Sequence, residues 1–427
     1  MSNFLTVKKS VNTGIVEGFY HPQFERVAEE FVRNFQERDE VGASVCLTLE
    51  GETVVDLWGG SADPASNAPW VQDTITNAMS ATKGATALCA HMLVSRGLLD
   101  LEAPVTRYWP EFGQGGKENI AVKMLLNHQS GLPALRQPLP SGAFYDWELM
   151  VKALEQEEPW WKPGSTYGYH AFTFGWLVGE IVRRVSGKSL GTYFREEVAE
   201  PLGLDFWIGL PEEHERRVAP LIPASPPDPS GPISPMMAAM LTDPTSVQAL
   251  QVFNSGGYMM PGPDGVMGFN TRAAHAAEIG SVSGIMNGRA LAGMYAPLAN
   301  GGSLNGVSLV SRDTLTRMAA VSSSLSLDTI VLIPIRWALG FVKTTDNRRV
   351  PGCTENDSLL LSEAAFGHTG FGGHFGFADP AARISFGYVM NRMGQGNGIN
   401  SRGQSLIDAA YLSLGYTSNA GGSWTKS

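Results

Sequence analysis

The sequence predicts an α/β fold of the α+β kind. One antiparallel sheet is built from N- and C-terminal segments flanked by helices, with a large, mostly helical insertion between them. Three observations predict it. Runs of β character broken by tight turns lie near both ends of the chain. Segments with apolar residues at helical spacing fill the middle. The 427 residues, 43% hydrophobic and 17% charged, are enough to bury a sizeable core. The division expected is a sheet-bearing domain from residues 1–98 and 325–427 and a mostly helical domain from 99–324, with the active site at their interface.

The elements follow in chain order. "ASVCLTL" (43–49) and "TVVDLW" (53–58) flank Glu50-Gly51-Glu52, which makes a β-hairpin around a Gly-containing turn. Residues 77–97 read as a helix capped by Asn77, with Leu88 and Met92 on its apolar face. Residues 147–157 and 172–186 are helical; Leu177, Ile181 and Val185 recur every four residues. The stretch 220–235 holds seven prolines, and no regular structure is expected there. With Met236, Met237 and Met240 after it, it reads as an irregular surface loop packed on the core. A substrate-facing role for these adaptable methionines is the alternative. Residues 288–299 form another helix. "RWALGFVK" (336–343) reads as a third strand beside a second hairpin, "HFGFAD" (374–379) with "RISFGYVMN" (383–391). A last helix runs from about Gln404 to Leu414.

A net charge of −10 disfavours nucleic acid or an anionic membrane as the main partner. Cys46, Cys89 and Cys353 lie far apart, without disulfide or zinc spacing, and none of the eight histidines has metal-ligand spacing. No metal and no cofactor is expected. The N-terminus lacks an apolar signal region, and no run approaches 18 apolar residues. A soluble cytoplasmic protein is the expectation.

Three serines sit in spellings that nucleophiles use. Ser189 lies in "GKSLG" (187–191), a match to Gly-x-Ser-x-Gly. That motif needs a strand before the serine, whereas helices flank this one, so it reads as a helix–helix connection with Gly187 in the C-cap region. Ser423 opens "SWTK" beside "SNAGG" at the end of the chain, a composition expected to fray. Ser80 opens Ser80-x-x-Lys83 in the first turn of the predicted 77–97 helix. There, free amides and the helix dipole suit an oxyanion, and Lys83 can reach back to the hydroxyl. On spelling alone, a capping serine beside a solvated lysine is the better reading.

The wider context favours Ser80. "SATKGATALCAHMLVSRGLLDLEAPVTRYWPEF" (80–112), "IAVKMLLNHQSGLPAL" (120–135), "KPGSTYGYHAFTFGWLVGEIV" (162–182), "NGRALAGMYAPLANGG" (287–302) and "FGHTGFGGHFGFADP" (366–380) occur in order. Together they resemble the serine hydrolases of the class C β-lactamase fold, which include penicillin-binding DD-peptidases and family VIII carboxylesterases. The resemblance implies a class C β-lactamase-like architecture and catalysis by Ser80, Lys83 and Tyr169. Tyr169 takes the tyrosine place of Tyr-x-Asn, with Tyr167 as the other candidate. His368-Thr369-Gly370 takes the place of Lys-Thr-Gly on an inner strand. The backbone amides of Ser80 and Phe371 are the implied oxyanion hole. A lysine cation beside Tyr169 would favour its phenolate as the proton acceptor; which of the pair is the formal base stays open.

Two departures bear on substrate. Ala171 stands where the family's asparagine touches substrate amides, and His368 replaces a permanent cation. Both argue for small, short-acyl esters rather than β-lactams or peptides. A β-lactamase-like amidase, a peptidase or an acyltransferase of the same fold is the other reading. His368, Thr369, Gly370, Ala171 and Trp160 are the pocket candidates. Trp161, Trp147 and Tyr145 either line an apolar pocket or pack in the core. His374 reads as structural.

Overall fold

A computed structural model describes residues 4–225, 233–396, 398–418 and 422–426. The chain opens with a hairpin of β1 (Leu5–Val11) and β2 (Gly14–Tyr20), followed by helix α1 (Glu25–Glu37). The β3 (Gly42–Leu49) and β4 (Glu52–Asp63) hairpin comes next. Its two turn residues, Glu50 and Gly51, both have positive φ (54° and 88°), as a two-residue hairpin turn demands. The main helices that follow are α2 (Thr82–Ser95), α3 (Trp147–Gln156), α4 (Phe174–Ser186), α5 (Pro235–Thr242), α6 (Val247–Phe253) and α7 (Gly288–Ala299). The C-terminal part adds β5 (Phe366–Gly370), β6 (His374–Asp379), β7 (Ile384–Met390) and helix α8 (Ser401–Ser413).

These strands form an antiparallel sheet in the order β1-β2-β4-β3-β7-β6-β5, so β3 and β7 join the two ends of the chain at its centre. Every residue of β6 and β7 is buried. The cause is helices on both faces, which bury both sides of these strands rather than every other residue. Phe31 and Phe35 of α1 and Leu406 and Tyr411 of α8 share one core with Val45, Leu47 and Phe377. On the opposite face, Leu291, Met294 and Tyr295 of α7 join a second core with Leu88 of α2 and Leu177 of α4. A smaller four-stranded sheet contains Ile75–Asn77, the strand that leads into the Ser80 turn, paired with Gly284–Met286.

Several expectations need correction. The helix predicted over 77–97 starts at Thr82; before it comes a 3₁₀ turn, Met79–Ala81, because Asn77 Oδ1 accepts the Met79 amide (2.8 Å) and closes a tighter turn first. The strand predicted over 336–343 shrinks to Arg336–Trp337, since the chain reverses at Gly340 (φ 88°), where Ala338 N–H donates to Phe341 O (2.8 Å). Strand β5 pairs with the second hairpin instead, and it lies at the end of the sheet order rather than inside it. The C-terminal "SWTK" is held, not frayed: Trp424–Thr425 pairs with Thr417–Ser418, and Trp424 is buried and stacks on Tyr411. Of the proline-rich stretch, residues 226–232 lie outside the described residues, but Pro235 is the first residue of α5, where a proline costs no hydrogen bond. The β1–β2 hairpin and α1 are elements that pattern reading passed over.

Candidate active site

Ser80 sits in the 3₁₀ turn between a strand and α2, and it is nearly buried. Met79 before it has φ 47°, a left-handed conformation that costs a non-glycine residue about 1–3 kcal/mol. The surroundings hold it there. Thr82 Oγ1 donates to Met79 O (2.6 Å) and accepts from Gly284 N–H (2.8 Å), while Ala78 N–H donates to Gly284 O (2.9 Å).

Lys83, the second residue of α2, is fully buried, and its Nζ has three neighbours: Ser80 Oγ at 3.1 Å, Ala171 O at 2.6 Å and Ser281 O at 3.0 Å. Burial pushes its pKa well below the ordinary lysine value. A neutral amine has two N–H donors and one lone pair. The two carbonyls can only accept, so they take both donors, and the lone pair is left facing the Ser80 hydroxyl. That is the arrangement of a base.

Tyr169 reaches the same place from the segment ahead of α4. Its backbone N–H donates to Asp328 Oδ1 (3.0 Å), its ring stacks on Trp337 (5.3 Å, 11°), and Lys83 Nζ lies 4.9 Å from the ring centroid. Burial raises the Tyr169 pKa, with the Ser80 hydroxyl pulling the other way. The two shifts disfavour the ammonium–phenolate pair anticipated from sequence, because burial penalises both charges. Tyr167 is a structural residue: its hydroxyl donates to Ile335 O (2.7 Å).

The third element is the end of β5. An added Cβ on Gly370 would lie 2.2 Å from Ala78 O, so only glycine lets this strand press against the turn that carries Ser80. The next residue is Phe371, and neither its amide nor that of Ser80 makes a backbone hydrogen bond among the described residues. His368 is buried, with Nδ1 2.7 Å from Thr369 O, and burial lowers its pKa to about 3. It is a neutral ring, not a substitute cation.

Two cavities meet at Ser80, Tyr169, Val331 and Phe371. The first, about 110 Å³, is bounded by Trp337, Val342, Lys343, His368 and Thr369. The second, about 210 Å³, is bounded by Ala171, Phe172, Met236, Met237, Met240 and Met259. The methionines after the proline-rich stretch therefore border the same cavity as the serine, while Met236 also packs on Ile330, Val331 and Ile333. Two pocket candidates do not line either cavity. Gly370 is pressed on Ala78 O, and Trp160 turns its Nε1 to Ala134 O (3.0 Å) with Arg136 stacked on its ring (3.9 Å). Trp147 and Tyr145 border a separate cavity, and His374 is fully buried away from both.

The competing serines stand elsewhere. Ser189 caps the next helix, accepting from Thr192 N–H, while Gly187 closes α4 with φ 73°. Ser423 donates to Glu363 Oε1 (3.2 Å).

With this geometry in view, the relatives are informative. Residues 27–409 match the Beta-lactamase family model. The chain belongs to the beta-lactamase family. Within that family it is 35% identical over 385 residues to the esterase/beta-lactamase LipL of Mycobacterium tuberculosis, which covers 88% of this chain and 83% of that protein. The crystal structure of a family VIII carboxylesterase superposes with a TM-score of 0.78 at 37% identity, over 93% of this chain and all of the other. A penicillin-binding protein homologue from Caulobacter crescentus gives 0.79 at 35% identity, with the same coverage. This beta-lactamase-family chain is accordingly a serine hydrolase with an antiparallel sheet flanked by helices. Among the described residues, no helix is long and apolar enough to cross a membrane.

Sequence reasoning missed Asp328 and Trp337. Asp328 is fully buried; its Oδ1 accepts the amides of Tyr169, Ile330 and Val331, and its Oδ2 accepts Trp337 Nε1–H (3.2 Å). The signal was an Asp at the head of the apolar run "DTIVLIP", the composition of an Asx-type turn.

Proposed function

We propose that this protein is a carboxylesterase acting on small, short-acyl esters through an acyl-enzyme on Ser80. The observation that carries the reading is the buried Lys83 amine, tied by two carbonyls and 3.1 Å from Ser80 Oγ, so that once deprotonated its lone pair meets the hydroxyl. In the first step, Ser80 Oγ bonds to the ester carbonyl carbon as its proton passes to Lys83, directly or by way of the Tyr169 hydroxyl. The carbonyl oxygen becomes an oxyanion held by the Ser80 and Phe371 amides. Such a donor is worth about 3 kcal/mol. The C–O bond to the alcohol then breaks, and the proton returns to the leaving oxygen through Tyr169. Water repeats the sequence on the acyl-enzyme and frees the acid.

The ester reading, rather than amide or β-lactam cleavage, is supported by the neutral His368 and by Ala171, which has no side-chain amide to offer. The names of the esterase and carboxylesterase relatives support it too. The test is Ser80→Ala with p-nitrophenyl butyrate, plus mass spectrometry of trapped wild-type enzyme. Activity should fall by at least about 10³-fold, with the acyl mass on the peptide that holds Ser80. A folded variant that retains most of its activity, or a nitrocefin rate exceeding the ester rate, would sink the reading.

A further inference from the structure

The second cavity is apolar almost throughout, yet Gln251 of α6 borders it while only 3% exposed. Its orientation follows from its partner. Gln251 Oε1 lies 3.1 Å from the backbone nitrogen of Ala171. A backbone N–H can only donate, so the oxygen end of the amide faces Ala171 and the NH₂ end points away from it. That NH₂ group donates to no protein acceptor among the described residues, and it is not sealed from solvent as the buried unpartnered groups are. Gln251 lines the second cavity together with Ala171, the residue that holds its oxygen end. The same Ala171 holds Lys83 Nζ through its carbonyl (2.6 Å), so the free donors stand one residue from the Ser80–Lys83 pair.

Two amide N–H groups beside a methionine-walled space make a binding element that a plain hydrocarbon chain leaves unpaired. We infer that Gln251 sets substrate specificity: its NH₂ donates to an oxygen on the substrate's otherwise apolar arm, so esters bearing a ketone, amide or ether oxygen a few bonds from the scissile carbonyl react in preference to plain alkyl esters. This inference rests on the ester-hydrolysing reading above. The oxygen can lie on the acyl or the alcohol side, and the experiment separates the two.

The assay compares kcat/KM within two matched pairs. Pentanoate and 4-oxopentanoate p-nitrophenyl esters vary the acyl arm; butyl and 2-methoxyethyl acetates vary the alcohol arm. Wild type is set against Gln251→Leu, which loses both ends of the amide, and Gln251→Glu, which still accepts from Ala171 but cannot donate. Wild type should favour the oxygen-bearing member of one pair. Both variants should lose about tenfold more on that member than on its plain partner. Equal losses on both members would mean that Gln251 merely props Ala171, and would overturn the inference. So would a wild type with no preference in either pair. Absence of Ser80-dependent turnover on every ester would overturn the ester reading and this inference together, and differs visibly from a lost preference.

Discussion

Replacing Gly370 by alanine tests whether β5 positions an oxyanion donor against Ser80. The backbone at Gly370 is not among those with positive φ, so alanine brings no conformational penalty of its own. What it brings is a methyl group 2.2 Å from Ala78 O and 2.9 Å from His374 Cβ. Restoring an ordinary contact requires β5 and the Ser80 turn to part by about 1 Å. The turn cannot simply yield, because the amides and hydroxyls of Ala78, Thr82 and Gly284 tie it down. The strand, with Phe371 at its tip, must move instead. A displacement of about 1 Å in a catalytic group costs on the order of 100-fold in rate. Such overpacking costs about 1–3 kcal/mol in stability. Steady-state hydrolysis of p-nitrophenyl butyrate should show kcat down about 100-fold, with KM changed far less, since the donor acts mainly on the transition state. Urea denaturation would report the stability loss separately. A Gly370→Ala enzyme with more than a third of wild-type kcat would refute the reasoning.

Two further predictions concern charge. Burial holds the Lys83 pKa below its unfolded value, so kcat/KM should rise as Lys83 loses its proton, with a midpoint well below the usual value of about 10.4. Over that window the unfolded chain binds more protons than the folded one, so wild-type stability should rise with pH relative to Lys83→Met; parallel pH–stability curves would count against it. The Asp328 carboxyl is raised to about 6, chiefly by burial, so its contribution to stability is full below the ordinary carboxylate value and is lost as pH climbs to about 6. Asp328→Ala should remove that pH dependence. By orphaning three amides and an indole N–H, it should also cost more than about 3 kcal/mol in urea denaturation; a loss under about 1 kcal/mol would contradict the bracing role given to this residue.

Much of the architecture was legible because it depends on local pattern. "HFGFAD" became β6 residue for residue, and the Glu50-Gly51 turn is the short hairpin turn expected. Local pattern also set Ser189 aside, since the helix before Gly187 can be read within a dozen residues. Other features depend on distant contacts. Nothing near "RWALGFVK" announces that Gly340 turns the chain back, or that β5 takes the place beside the hairpin. Trp160 looked like a pocket residue only by its nearness in sequence to Tyr169, and Arg136 covers it instead. Protonation was the least legible feature. The downward shift of Lys83 and the upward shift of Tyr169 follow from complete burial, and burial is a property of the assembled molecule rather than of a motif.

The seam between β3 and β7 has a consequence for biosynthesis. The Thr48 and Ser385 hydroxyls sit 2.6 Å apart across it, although 337 positions separate them along the chain. A nascent polypeptide that has emerged only as far as Tyr169 already carries the nucleophile and its base, but not the strand that covers the open edge of β3, nor the Phe371 amide. Closing so large a loop is entropically costly, and until it closes the edge remains open to pairing with other chains. Competence should therefore come late and all at once. Shortening the chain before β7 should produce aggregating material rather than a weaker enzyme.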